Sequence, residues 1–296
     1  MRRFDLKIHL PAWGASVAAA CAAVAVTGCG AGGGGTVSVP KVAPARVFAL
    51  AGFEPAAPVA PHHPVTVSFA VRLPSGKPLT TYRMGSGPHT GVHLIIVRDD
   101  LAYIIHEHPP VGPAGFLRQT VTFPAPGPYH VLVDVYPQLA GVLPNFQLTQ
   151  TIHVSGPYRP QPLPRFNADQ VVDVYHFAMQ GRPSLHAIQA QFMHVEVTDS
   201  SGRPVTFTPW FGALAHAIFF QQGSLAYFHT HICAPDALNC GSLPGVRASA
   251  ITGRSSSPGK LTIGTLLPAP GTWRLFLQMK AGGRVVTAPF TIKVAP

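Results

Sequence analysis

Two stretches decide the reading of this chain: Val65 to Leu79 (VTVSFAVRLPSGKPL) and Phe192 to Val205 (FMHVEVTDSSGRPV). Each alternates apolar and polar residues and then breaks at a Ser-Gly-Lys/Arg-Pro turn. Alternation with period two is the signature of a strand with one buried face, and Gly-Pro punctuation marks its end. Outward from both stretches the same order of features recurs. A His-led apolar strand comes first, then a Leu-Ala-Tyr strand. A strand entered by Pro-Gly and an aromatic follows, in Pro126 to Val133 and again in Pro270 to Leu277. Each unit closes on another alternating strand, Gln147 to Val154 and Val285 to Val294.

A repeat this long is a duplicated domain, since solenoid units run about 20–50 residues. The expected fold is all-β: two tandem Ig-like or cupredoxin-like antiparallel sandwiches. The expected division is 1–28 signal peptide, 29–60 tether and irregular lead-in with at most an edge strand, 61–155 first domain, 156–165 Pro-rich linker and 166–296 second domain.

Composition fits that reading. Pro (32) and Gly (29) exceed a fifth of the 296 residues, which suits many turns, while charged residues make up only 11%, too few for charge-driven disorder. The balance is basic, with 21 Lys+Arg against 11 Asp+Glu, but the basic residues are scattered. A nucleic-acid footprint requires clustering, so no nucleic-acid partner is expected. A basic surface of this kind tolerates anionic envelope polymers or lipid headgroups.

The first residues read as an export signal. Arg2, Arg3 and Lys7 form a basic start, and Gly14 to Val26 (GASVAAACAAVAV) is an apolar run too short for an ordinary transmembrane helix. Val26-Thr27-Gly28-Cys29 resembles the lipobox of bacterial lipoproteins, which implies lipidation of Cys29 and membrane anchoring through that lipid; Ala19-Ala20-Cys21 is a second site of the same type. A plain cleaved signal peptide or an uncleaved anchor is the alternative. Gly30 to Gly35 (GAGGGG) is a flexible spacer. The expected location is the cell envelope, where an oxidising environment favours a disulfide between Cys233 and Cys240. A thiolate ligand beside His231 is the other reading of Cys233.

Within each unit lies a block of three histidines: His93, His106 and His108, then His216, His229 and His231. Both follow His, twelve residues, His, one residue, His. Residues two apart on a strand share a face. With Asp99-Asp100 as a two-residue turn, pairs sum to 199, and His93 faces His106 with Cβ atoms about 4.5–5.5 Å apart. Gln222-Gly223 likewise sets His216 against His229. The copies are not identical, because Leu101 precedes His106 by five residues and Leu225 precedes His229 by four. A bulge is therefore expected in one hairpin. Three neutral imidazoles suit Cu2+ or Zn2+. Met84 and His89, just upstream of the first block, are weaker additional ligands. The competing reading is histidines that only pack and hydrogen-bond.

His93-Leu94-Ile95-Ile96-Val97, Asp100-Leu101, His106-Glu107-His108-Pro109 and Pro270 to Gln278 resemble motifs of bacterial exported proteins of largely uncharacterised function. Those proteins carry His-Leu-x-Val-Val-x-x-Asp-Leu, then His-x-His-Pro, then Pro-Gly-Thr-Tyr/Trp-Arg-Leu-Phe-Leu-Gln. The resemblance implies an envelope protein of the heavy-metal- or copper-associated kind, with Ig-like or cupredoxin-like sandwiches. The second block departs from the pattern, with Ile232-Cys233 where Pro would follow. All six histidines, His93, His106, His108, His216, His229 and His231, are candidate metal ligands; the first block is the favoured site, and the alternative for the second is that it keeps only the architecture. No H-E-x-x-H helix, G-x-S-x-G elbow or phosphate-binding Gly loop occurs, so catalysis is not expected. Expected partners are the membrane and a metal-handling or cell-wall component. A structural or adhesive lipoprotein is the alternative function.

Overall fold

A computed structural model describes residues 47–83, 91–140, 145–234 and 253–296. Among these the chain is all-β, with no α-helix. Residues 45–296 form one compact unit. Met84, His89, Cys29 and Cys240, with the signal and spacer segments, lie outside the described residues.

The first half has two sheets. β1 (Ala49–Glu54), β2 (Pro64–Arg72) and β5 (Phe116–Thr122) form one, in the order β1-β2-β5. β3 (Val92–Arg98), β4 (Ile104–Glu107), β6 (Gly127–Val135) and β7 (Phe146–Val154) form the other, in the order β4-β3-β6-β7. The lead-in thus contributes a paired edge strand, β1, to the first half. Its core is built from alternate residues of both sheets, among them Val67, Phe69 and Val71 of β2 and Val92, Leu94 and Ile96 of β3. Alternation delivers these side chains to one face.

The second half contains β8 (Asp169–Val172), β9 (Tyr175–Met179), β10 (Leu185–His186), β11 (Gln191–Asp199), β12 (Ala215–Gln221), β13 (Tyr227–Cys233), β14 (Gly253–Ser257), β15 (Lys260–Thr265), β16 (Gly271–Ala281) and β17 (Arg284–Ala295). They make one ten-stranded sheet, β10-β17-β16-β12-β13-β14-β15-β11-β9-β8, around a single core that includes Phe177, Val195, Phe219, Ile263, Trp273 and Phe290. The order β4-β3-β6-β7 recurs here as β13-β12-β16-β17, and β1-β2-β5 recurs as β9-β11-β15. The two arms join where β14 pairs in parallel with β13 over Ile232↔Gly253 and Cys233↔Arg254.

The Pro-Gly entries into β6 and β16 have a backbone reason. Gly127 and Gly271 take φ of +128° and +134°, conformations that L side chains rarely adopt. A Cβ on Gly127 would also meet the Tyr158 ring at 2.6 Å. The 156–165 segment is therefore packed against the sandwich. Gln161 N–H donates to Asp100 (2.9 Å), and Leu163 enters an apolar cluster shared by the halves.

That shared cluster explains the apolar runs in β3 and β12. Every residue of β3 is buried, against the alternating pattern of β11. Leu94 and Ile96 face the first core, while Ile95 and Val97 face outward and meet Ile218, Phe220 and Phe276 of the second half, together with Leu101 and Leu132. The two sheets bearing the histidine blocks thus pack outer face to outer face.

Candidate functional site: six histidines between the halves

Both histidine hairpins close through four-residue loops. Arg98 N–H donates to Tyr103 C=O and Gln221 N–H to Ala226 C=O. Ile95 pairs with His106 and Leu94 with Glu107. In the second hairpin Ile218 pairs with His229 and His216 with His231. The two-residue turns expected at Asp99-Asp100 and Gln222-Gly223 are therefore corrected, as are the facing pairs His93–His106 and His216–His229. The first histidine of each block is level with the third, and the His93 and His108 ring centroids are 4.4 Å apart. The expected bulge is corrected too. Both hairpins keep the same register, and the one-residue leucine offset is absorbed inside the loops. Leu101 donates to Arg98 C=O, three residues back, and Leu225 to Gln221 C=O, four residues back. Each leucine takes a positive φ, +61° and +56°, uncommon for a side chain of this type.

The first loop is held by its own charges. Arg98 grips Asp100 through Nε (2.8 Å) and Nη2 (2.7 Å), and its guanidinium lies 4.6 Å from the Tyr103 ring centre. Burial would raise the Asp100 carboxyl, but the Arg98 hydrogen bond and the N–H groups of Gln161 and Ala102 carry it below its ordinary value.

Equal register puts all six histidines on the outer faces that meet. His93, His106, His108 and His216 are buried, and His229 and His231 are partly exposed. His229 lies at the centre, its ring centroid 5.0 Å from His93, 5.2 Å from His106, 5.4 Å from His216 and 4.7 Å from His231. Burial, reinforced by His231, His93, His106 and His216, holds its pKa well below the ordinary histidine value. The interface therefore favours neutral imidazole at this position.

Outer hydrogen bonds set the tautomers. His216 Nε2–H donates to the Trp210 carbonyl (2.9 Å), which leaves the lone pair on Nδ1, 3.2 Å from His229 Nε2. His106 Nδ1–H donates to Gln278 Oε1 (3.0 Å), so its lone pair is on Nε2, 3.2 Å from His108 Nε2. The Gln278 amide is itself oriented by donating to Thr287 Oγ1 at 3.0 Å. Nitrogens about 3.3 Å apart are what a tetrahedral ion with bonds of roughly 2.0 Å requires. Aromatic walls complete the site: Phe211 stacks on His108 at 3.8 Å, and Trp210 meets His106 edge-on.

Behind His93 lies Asp134, its cross-strand partner on β6, with Oδ2 3.7 Å from His93 Nδ1. Asp134 is only 1% exposed and accepts from Asn145 (2.8 Å), Gln147 (3.2 Å), Tyr136 (3.3 Å) and, across the interface, Tyr227 (3.5 Å). Burial, with the Asp134 charge adding to it, pushes both tyrosine hydroxyls well above the ordinary phenol value, so they remain donors. Asp134 and Gln278 occupy equivalent positions, each paired with the first histidine of its block. Sequence reasoning missed both. Each is a polar residue inside an apolar strand (VLVDVY, LFLQMK), seven residues after the Gly of Pro-Gly, and that shared offset was the available signal.

Two three-histidine groups bring one nitrogen from each ring within 4.8 Å of the others: His93, His229 and His231, and His106, His216 and His229. Each draws on both blocks. The structure thus groups the histidines across the two blocks rather than within either one. Cys233 lies buried at the end of β13, while its expected partner Cys240 is outside the described residues, as are Met84 and His89. His176, His186 and His194 lie on β9, β10 and β11, away from the cluster.

Residues 170–296 match a family described as Domain of unknown function (DUF8832). No curated protein matches the chain in sequence. Among solved structures, an alpha-2-macroglobulin of Salmonella is 12% identical, with a TM-score of 0.26, over 86% of this chain and 15% of that one. Invasin, a bacterial integrin-binding protein, is 16% identical with a TM-score of 0.22 over 83% of this chain and 39% of its own. Domains 4 and 5 of an S-layer protein are 12% identical, with a TM-score of 0.22, over 84% of this chain and 98% of that one. The chain spans well under two thirds of the macroglobulin and of invasin, and no functional property follows from likenesses this distant.

Proposed function

We propose that the chain is an envelope-anchored, non-catalytic lipoprotein that binds Cu2+ or Zn2+ between two tandem Ig-like or cupredoxin-like sandwiches, as a buffer, chaperone or sensor. The observation that carries this reading is the meeting of both histidine blocks in one interface, with three imidazole nitrogens within 4.8 Å of one another in two groups. All donors in those groups are imidazole nitrogens, a set that suits both metals and for which raw affinity ranks copper above zinc. Gln278, the Trp210 carbonyl and Asp134 stand where outer-shell partners of metal-bound histidines stand. Lipidation at Cys29, a Cys233–Cys240 disulfide and envelope partners belong to the same proposal.

The competing reading is a structural or adhesive lipoprotein whose histidines only pack, and the stacking of His108 on Phe211 favours it. Mature protein purified without a His-tag separates the two. Elemental analysis and titration with Cu2+ and Zn2+ should show binding that the double variant His106→Ala/His231→Ala, which removes a histidine from each group, weakens by about 100-fold, at least what loss of an outer-shell partner costs. Equal affinity in variant and parent would overturn the proposal.

A further inference from the structure

We infer that the cluster takes a single divalent cation at a time, in either of two overlapping seats that share His229. This rests on the metal-binding reading above and specifies how the site is used. One seat is His93, His229 and His231; the other is His106, His216 and His229. A neutral imidazole offers one lone pair, so His229 serves one seat or the other, whichever of its nitrogens is used. Two ions would have to divide that single donor, and two divalent charges this close would repel strongly in a buried interface.

The seats are not equivalent. The first contains both partly exposed histidines of the cluster, His229 and His231, whereas the second adds the buried His106 and His216. The first is the outer seat. It is backed by the Asp134 carboxylate, 3.7 Å from His93 Nδ1, which favours positive charge there. The second is the inner seat. Its outer partners, the Gln278 amide and the Trp210 carbonyl, are uncharged, but they fix the tautomers of His106 and His216 with their lone pairs inward. A cation held by His229 can thus change seats by exchanging two ligands while one bond is kept. Both seats span the two halves, so the ion in either one cross-links the sheets.

Native mass spectrometry of the mature full-length chain with excess Zn2+, and separately with Cu2+, tests the stoichiometry. One ion per chain is expected. Two ions per chain would overturn the shared-seat inference while leaving metal binding intact, whereas none would overturn the metal-binding reading itself. Affinities of variants test the sharing. His231→Ala and His106→Ala each remove one seat and should each still bind one ion, about tenfold more weakly or less. His229→Ala removes both seats and should weaken binding by about 100-fold or more, as should the double variant His106→Ala/His231→Ala. His229→Gln, which keeps a neutral polar side chain, guards against a folding defect, with circular dichroism of the metal-free protein as the check. A His229→Gln protein that is folded and binds as well as His231→Ala would end the inference.

Discussion

The hairpins β3–β4 and β12–β13 agree in strand register and loop length and differ in loop conformation and in the residue that backs the first histidine. In each, the first histidine lies five residues before the loop-closing residue, Arg98 or Gln221, and the second eight residues after it. Their loops place the positive-φ leucine differently, third in one and fourth in the other. Their backing residues differ as well, a carboxylate at Asp134 and an amide at Gln278. The difference separates what the interface constrains from what it leaves open. A one-residue slip in a strand turns every side chain to the opposite face, which would send a whole block of histidines into a core. A change inside a loop moves nothing on the strands. Divergence has accumulated where it does not alter facing.

The largest expected effect breaks this distinction deliberately. One Gly inserted between Phe228 and His229 should reverse the facing of the rest of β13, abolish metal binding and cost at least about 4–5 kcal/mol, as loss of packing and burial of polar groups combine. One Gly inserted between Gly223 and Ser224, both exposed in the loop, should cost less than about 1 kcal/mol and leave binding intact. Urea denaturation with a metal titration reads both. Equal behaviour of the two insertions would show that facing is not what the register protects.

The next effect compares equivalent apolar positions. Leu132 and Phe276 pair with Ile95 and Ile218 in their own sheets and meet in the cluster between the halves. Phe276→Ala should cost about 3–5 kcal/mol and Leu132→Ala about 2–5 kcal/mol, from lost transfer energy plus a cavity. Because the cavities open into one cluster, the double variant should depart from additivity by about 0.5 kcal/mol or more. Strict additivity would mean that each half packs alone at this face.

Much of the fold was legible before any coordinates, because period-two alternation reports one buried face directly. It located β2, β11 and the closing strands β7 and β17. What covers a second face is not written in a strand's own period. The His-Leu-Ile-Ile-Val run of β3 is buried throughout because another sheet lies on its outer side, and nothing within residues 93–97 names that sheet. The turn geometry was misread for a local reason. Asp99-Asp100 resembles a two-residue turn, while the four-residue loop depends on Leu101 adopting a conformation its side chain disfavours. The six histidines were identified individually. Their convergence is a property of the contact between halves, and so are the roles of Trp210, Phe211, Asp134 and Gln278.

The smallest effect concerns the ring at the centre. In the folded chain His229 is held neutral, with its pKa well below the ordinary value, mainly by burial and then by the histidines around it. In the unfolded chain it titrates near 6.5. Between those two values the unfolded state binds a proton that the folded state does not, so stability of the metal-free protein rises with pH there and falls on acidification below about 6.5. The contribution is at most about 1.4 kcal/mol per pH unit, the value of one proton. Above pH 7.5 both states leave the ring neutral, and the dependence from His229 vanishes. Urea denaturation at pH 5.5, 6.5 and 7.5 in the presence of chelator measures the slope, and His229→Gln should reduce it by up to one proton between the two lower values. His106→Gln, the equivalent change in the other hairpin, controls for the loss of a ring at this interface. An unchanged slope in His229→Gln would mean that the central imidazole is protonated as readily in the folded protein as in water, and the interface would then not be the environment that keeps it a neutral donor.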